Sequence, residues 1–314
     1  MPPRVDWGDE GLAQMHAGQI PGVKKKRERW DKVALLFIAP YVVFCAIFLI
    51  YPTFMAIAGS FAKWNLITNA FEDFIGLSNY IKLMNDPEFW LSVRNSFIYF
   101  FVQIPTSIIG GMLVASMLNR KFFCRDLFRG LYFLPMVTGS VVVGIIFKWL
   151  LQGTGGVINY MISFFGIAPI GYLAERSLSM LSISLVKAWM DIGYYTVVFL
   201  AAYQSIPGEL TEAAVIDGAN ARQVYFRIKI PLLNPTIIFC IMMATIWAFQ
   251  LFTEPYVMTE GGPLGSSMPM TLFLYRQGFI KHNLSYASTI GVVVGLFILI
   301  ISFVERKLFE RDIF

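Results

Sequence analysis

The sequence predicts an all-α polytopic membrane protein with six transmembrane helices, and three observations lead to that fold class. Hydrophobic residues make up 57% of the 314 residues and charged residues only 14%, whereas a soluble domain carries about 25% charged residues. The mean hydropathy is +0.63. Apolar runs of the length that crosses a bilayer core, about 20 residues, recur along the chain and are separated by polar loops.

The apolar runs give the expected spans in order. They cover residues 33–57, 96–118, 131–150, 179–206, 235–252 and 284–304. The first run is too long for the core of a signal peptide and lacks a small-residue cleavage site, so we expect a retained helix. The chain then divides into a polar tail, residues 1–30, and a membrane domain, residues 31–314.

The distribution of positive charge predicts the orientation. With the N-terminus inside, 17 of the 25 Lys and Arg residues fall in the tail, in the inner loops or after the last run. Inner loops of membrane proteins carry this excess of positive charge. Both termini are therefore expected in the cytoplasm. The net charge of +5 is explained by topology, and no soluble basic face indicates nucleic acid.

Several kinds of chemistry lack their sequence signatures. The three cysteines, Cys45, Cys124 and Cys240, form no CxxC pair, so neither a metal site nor a disulfide framework is indicated. The chain has no GxxxxGK[ST] phosphate-binding loop, and no HExxH or GxSxG motif. We expect no catalytic residue, no bound metal and no cofactor held by this chain.

The loop after the fourth run, residues 207–231, is too long for a tight connection between spans. Its Glu209 and Glu212 fall early in a new helix, where carboxylates favour the positive end of the helix dipole. Asp217 and Gly218 are expected to end that helix, because glycine tolerates the backbone angles of a turn. A basic segment follows, and Pro231 is expected to stop it before the fifth span.

The first helix of this loop has one narrow apolar face. Leu210, Ala213 and Ala214 lie at positions i, i+3 and i+4, which places them together on a helix. A projecting helix with a small apolar face edged by charge suits insertion into a groove of another protein.

At this point the chain resembles the permease subunits of bacterial ABC importers, in particular the first-subunit class of the maltose-type sugar permeases. The pattern that carries the resemblance is the EAA loop: Glu212-Ala213-Ala214, three residues, Gly218, then a basic stretch and Pro231. Supporting stretches are APYVVFCAIFLIYPTFMAIAGSFAKW, FIGLSNYIKLM, PYVMTEGGPLGSS and SYASTIGVVVG. The match runs from about Val33 to the C-terminus. It indicates the shorter six-helix form, without the additional N-terminal helices and outer domain of the maltose prototype.

The resemblance implies a type I ABC importer permease fold in the bacterial inner membrane, with the 207–231 segment as the loop that docks the ATPases; we call this segment the coupling loop. It assigns ATPase coupling to Glu209, Glu212, Ala213, Ala214, Asp217, Gly218, Ala219 and Arg222. It also implies a second, homologous permease in a heterodimer, two ATPase subunits that hold ATP and Mg, and an external solute-binding protein.

In this family the spans that flank the coupling loop supply most substrate contacts, and aromatic rings stack on sugar faces. The residues that this assigns to the substrate pathway are Lys187, Trp189, Asp191, Tyr194, Tyr195, Trp247 and Gln250. Ionisable groups inside a membrane usually face an interior or a water-filled cavity, but Lys187 and Asp191, at i and i+4, could equally form a structural ion pair. The aromatic residues could equally serve packing.

The expected substrate is a disaccharide or oligosaccharide, with an acidic oligosaccharide as a variant because Lys148, Lys187 and Arg94 fall near the outer half. A glycerol-phosphate-type ABC permease is the alternative. A secondary transporter would show inverted repeats and coupled ionisable residues near the midplane. In this sequence, Lys187 and Asp191 are the only candidates for such coupled ionisable residues.

Overall fold

The computed structural model describes residues 24–65, 70–119, 123 and 125–309, with side chains from residue 34 onward except those of residues 65 and 70. Most of the predicted tail and Cys124 lie outside the described residues. The chain divides into two compact units, Met1–Met55 and Ala56–Phe314. In the first unit, helix Lys24–Cys45 continues through a wider π-helical turn, Ala46–Ile50, into helix Tyr51–Ser60, which ends in the second unit.

The structure contains apolar helices that match the predicted runs. Four single helices are long and apolar enough to cross a membrane, and two bent helix pairs bring the total to six if each pair forms one span. Numbered in chain order, they are span 1, Ala34–Ser60; span 2, Pro87–Leu118; span 3, Arg125–Val137 with Ser140–Leu150; span 4, Ser179–Gln204; span 5, Ala221–Leu232 with Asn234–Ala248; and span 6, Leu284–Phe309. The helical fold class is thus confirmed.

Short elements connect the spans. The helices among them are Ser78–Met84, Val157–Ser163, Gly208–Ile216, Thr253–Thr259 and Met270–Tyr275, the last followed by a π-helical turn, Arg276–Ile280. Strands β1, Ala62–Asn65, and β2, Ala70–Phe74, form an antiparallel hairpin that the sequence analysis did not anticipate. The Trp64 and Phe71 rings meet edge to face across it, with centroids 4.8 Å apart.

Span 2 begins nine residues earlier than its apolar run. Asp86 precedes the helix, and its carboxylate accepts a hydrogen bond from the Glu88 backbone N–H at 2.9 Å. Pro87 occupies the first helical position, where its missing N–H costs nothing. These start signals extend the helix to 32 residues, about 48 Å at 1.5 Å per residue, so span 2 extends beyond the bilayer core.

Span 3 is not the single straight helix that we expected. Its two helices meet at an angle of 96°. Pro135 lies in the last turn of the first helix, and Gly139 precedes the second in an extended conformation, with ψ of 134°. Proline removes a helical hydrogen bond, and together with the glycine it allows the chain to turn here.

Span 5 corrects two expectations. The helical segment that follows Gly218 continues through Pro231 to Leu232, and the chain changes direction at Leu233, with 63° between the two parts. Pro231 sits near the start of the short helix Ile230–Leu232, so it does not end the segment. The second part then stops at Ala248, four residues before the predicted end.

Spans 2 and 4 form the most extensive helix pair in the structure. Glycines set this packing: a Cβ on Gly111 would lie 2.5 Å from the Tyr195 Cβ. On span 4, a Cβ on Gly193 would lie 2.3 Å from the Tyr132 carbonyl oxygen of span 3. Both distances are far inside van der Waals contact, so small residues permit these helices to approach closely.

Candidate functional site

A cavity of about 260 Å³ lies between spans 2, 4 and 5, and we call it the polar cavity. Its lining comes from all three spans, from the start of the second part of span 3, and from the residues that follow span 5. The lining residues are Tyr99, Gln103, Ser140, Lys187, Asp191, Tyr195, Ala244, Trp247, Ala248, Gln250, Leu251, Phe252, Thr253 and Glu254.

The charged groups of the polar cavity form a network around Lys187. Its Nζ lies 2.6 Å from Asp191 Oδ1 on the next turn of span 4 and 4.0 Å from Glu254 Oε1. Gln103 Nε2 of span 2 donates a 2.8 Å hydrogen bond to Asp191 Oδ2. Both oxygens of the Asp191 carboxylate are therefore engaged, and the network ties span 2 to span 4.

Glu254 completes this network, and sequence reasoning missed it. It lies beyond the end of span 5, in the first turn of helix Thr253–Thr259, and is only 3% exposed. Burial raises the pKa of its carboxyl, while the Lys187 ammonium and a hydrogen bond with Ser140 oppose that shift. In sequence, Glu254 is one of several acids close to span ends, and nothing marks it as buried.

Aromatic side chains form the second component of the cavity. Tyr195 is fully buried and lines it, and its hydroxyl has no hydrogen-bond partner among the described residues. Tyr194 does not line the cavity but meets the Trp247 ring edge-on, with centroids 5.3 Å apart. Trp189 lies outside the cavity and packs instead on Phe147, at 5.3 Å.

The structure thus places five of the seven predicted pathway residues at one cavity: Lys187, Asp191, Tyr195, Trp247 and Gln250. Of the other two, Tyr194 contacts the lining residue Trp247, and Trp189 contacts Phe147 outside the cavity. Sequence analysis missed three other lining residues, Gln103, Tyr99 and Ser140. The sequence does not show on which face of a helix a polar residue within an apolar run lies.

The coupling loop has the predicted two-helix shape. Helix Gly208–Ile216 is followed by Gly218 in the left-handed region, with φ of +84°. A capping box then starts the second helix: the Gln223 backbone N–H donates to Asn220 Oδ1 at 2.9 Å, and the Asn220 backbone N–H donates to Gln223 Oε1 at 2.8 Å. Reciprocal caps of this kind fix where a helix begins.

No residue of helix Gly208–Ile216 is buried. Among the assigned coupling residues, Ala214 and Ala219 are half-buried and the others are exposed: Glu209, Glu212, Ala213, Asp217, Gly218 and Arg222. The Arg222 guanidinium lies 5.9 Å from the Phe226 ring centroid. The described residues contain no cluster of three His, Cys, Asp or Glu side chains suited to a metal ion.

A bundle of apolar helices, a polar cavity between them and an exposed helical loop define a membrane-embedded transport component. The model of the family described as "Binding-protein-dependent transport system inner membrane component" matches residues 107–314. The chain belongs to this family. It is a multi-pass inner membrane protein and a transport subunit rather than an enzyme, which confirms the family resemblance found in the sequence.

Similar proteins agree with this placement. The chain is 34% identical over 282 residues to the lactose transport system permease protein LacF of Rhizobium radiobacter, covering 88% of this chain and 93% of that one. It is 32% identical to the probable ABC transporter permease protein YurN of Bacillus subtilis, covering 88% and 96%.

Among solved structures, a chain of a bacterial ABC transporter involved in the import of the acidic polysaccharide alginate superimposes with a TM-score of 0.81. The identity is 21%, with 91% of this chain and 98% of that chain covered. The structure thus has the ABC importer permease fold that the sequence analysis expected.

Proposed function

We propose that this permease forms one half of the pathway through which an ABC importer moves a neutral disaccharide or oligosaccharide, and that the polar cavity is its substrate-contacting surface. The observation that carries the proposal is the convergence on one cavity of five pathway residues, four from spans 4 and 5 and Gln250 from just after span 5. Relatives named for lactose and for arabinooligosaccharides support the substrate class.

The charges around the polar cavity favour a neutral substrate. One ammonium, Lys187, faces two carboxylates, Asp191 and Glu254, at 2.6 Å and 4.0 Å. An anionic sugar or glycerol phosphate would compete with both carboxylates for a single cation. A neutral sugar instead offers hydroxyls that can donate to carboxylates and accept from an amide, and apolar ring faces for Trp247. The acidic-substrate variant and the glycerol-phosphate alternative are therefore less well supported.

The partners follow from the exposed coupling loop and from the family. We propose that a second, homologous permease completes the pathway as a heterodimer, and that two ATPase subunits carrying ATP and Mg bind the coupling loops. An external solute-binding protein delivers the substrate. The charge asymmetry supports an orientation with both termini and the coupling loop in the cytoplasm.

The test is transport by the assembled complex in proteoliposomes, with neutral and acidic oligosaccharides of several lengths. Trp247→Ala and Gln250→Ala should each reduce transport of a neutral sugar several-fold, because losing a contact to substrate costs about 1–3 kcal/mol when its partner is left unsatisfied. Basal ATP hydrolysis and complex assembly should persist.

Trp189→Phe is the matched control, since Trp189 neighbours Lys187 in sequence but lies outside the polar cavity. It should transport at the parental rate. Parental transport of every sugar by both cavity variants would place the substrate pathway elsewhere. Transport of acidic sugars alone would overturn the neutral class while leaving the pathway intact.

A further inference from the structure

A second cavity, of about 290 Å³, lies against the coupling loop, and we call it the loop cavity. The ends of spans 2 and 4 form one side, and both helices of the coupling loop form the other. Its lining residues are Ser116, Asn119, Tyr203, Thr211, Val215, Ala221, Val224, Tyr225 and Lys229. None of these residues lines the polar cavity.

The loop cavity contains a cation without a counter-charge. Lys229 is half-buried, and within the described residues its ammonium makes no ion pair. The lining includes no Asp or Glu. This differs from the polar cavity, where two carboxylates face Lys187. A nearby opposite charge favours the charged form of an amine, so the surroundings of Lys229 in the loop cavity suit an anion.

Neutral hydrogen-bond donors surround the same space. The Tyr203 hydroxyl donates to the Tyr225 hydroxyl at 3.2 Å, which leaves the Tyr225 proton free to point into the cavity. Asn119 and Thr211 add an amide and a hydroxyl. An anion with several acceptor oxygens would use all of these groups together.

We propose that the loop cavity binds a phosphate group, carried either by a lipid headgroup or by a soluble phosphate compound. The bound group would contact Lys229 and Tyr225 on the coupling loop and Asn119 at the end of span 2. A ligand held between these elements stabilises the arrangement in which they are close. The site would therefore tune how freely the coupling loop moves, independently of which solute the polar cavity accepts.

The experiment uses the full chain in polyoxyethylene alkyl ether micelles, which contain neither phosphate nor sugar. The midpoint of thermal unfolding is measured with sodium phosphate, with sodium chloride at equal ionic strength, and with added phosphatidylglycerol. We expect phosphate or phosphatidylglycerol to raise the midpoint above the chloride value. A rise with inorganic phosphate identifies a soluble ligand, and a rise with the lipid alone identifies a headgroup.

Lys229→Gln and Tyr225→Phe should each reduce that rise by more than half. Arg227→Gln is the matched control, because Arg227 is an exposed cation on the same helical segment that does not line the loop cavity; it should keep the full response. If Lys229→Gln fails to fold, Tyr225→Phe decides. No rise with either phosphate source, or an undiminished rise in Tyr225→Phe, would overturn the proposal.

Discussion

The polar cavity and the coupling loop differ in where their interaction partners lie. In the cavity, Lys187, Asp191 and Gln103 bind one another inside the chain. In the coupling loop, none of the side chains of helix Gly208–Ile216 is buried within the chain, and Ile216 is 85% exposed. Substitutions in the cavity should therefore change the stability of the chain itself. Substitutions on the exposed face of helix Gly208–Ile216 should instead change what the assembled complex does.

The largest effect should come from Gly218→Pro. Gly218 has a φ of +84°, whereas proline holds φ near −65°, so the turn between the two loop helices cannot form as it is. We expect transport by the assembled complex to fall by about tenfold or more, since tenfold corresponds to only about 1.4 kcal/mol. Hydrolysis of ATP should become independent of the solute-binding protein.

Gly208→Ala is the control for that experiment. It lies in the same loop, its φ is not positive, and a Cβ there would meet nothing within 4 Å, so transport should be preserved. Glu212→Lys tests the docking surface without a backbone change and should weaken ATPase binding in a pull-down. Normal transport by a chain carrying both Gly218→Pro and Glu212→Lys would contradict the coupling role.

The next largest effect should come from Lys187→Met, which tests whether the charged network of the polar cavity stabilises the chain. Removing the ammonium leaves Asp191 and Glu254 facing each other without a cation. Breaking a hydrogen bond to a charged group costs about 1.5–3 kcal/mol, and the partial exposure of Lys187 and Asp191 places the expected loss at the lower end. The midpoint of thermal unfolding in detergent should fall.

Lys148→Met is the control, because Lys148 is exposed and its ammonium donates a 3.3 Å hydrogen bond to the Val257 carbonyl without pairing with a carboxylate among the described residues. Its midpoint should stay near the parental value. Equal midpoints for Lys187→Met and the parent would show that the network contributes nothing to stability. The proposed difference in stability between the polar cavity and the coupling loop would then not exist.

The sequence determined the spans and the loop because their signals are local. Apolar runs, the EAA pattern and Gly218 each depend on neighbouring residues, and the structure contains helices at all the predicted runs. The start of span 2 was misjudged because Asp86 and Pro87 precede a stretch whose apolar residues are interrupted by the charges of Glu88 and Arg94. The bend in span 3 was missed although Pro135 and Gly139 were visible, since hydropathy does not report direction.

The polar cavity was only partly predictable because its composition depends on contacts between distant elements. Lys187 and Asp191 are conspicuous as charges within an apolar run. Gln103 approaches them only because spans 2 and 4 pack closely at Gly111, and Glu254 reaches them only because the chain folds back after span 5. No spacing in the sequence encodes either approach, so one amide and one carboxylate of the network were missed.

The smallest effect on stability, and the finest test of the cavity, should come from Tyr195→Phe. The Tyr195 ring is fully buried, and its hydroxyl has no partner among the described residues. Removing that hydroxyl breaks no hydrogen bond among the described residues, so the midpoint of thermal unfolding should stay the same or rise slightly. If the hydroxyl binds a sugar, transport should nevertheless fall several-fold at low substrate concentration.

Tyr194→Phe is the control one residue earlier, since Tyr194 does not line the cavity, and it should leave transport unchanged. Parental transport by Tyr195→Phe with a raised midpoint would mean that the hydroxyl serves no ligand, and would restrict the substrate surface to Trp247, Gln250 and the charged network.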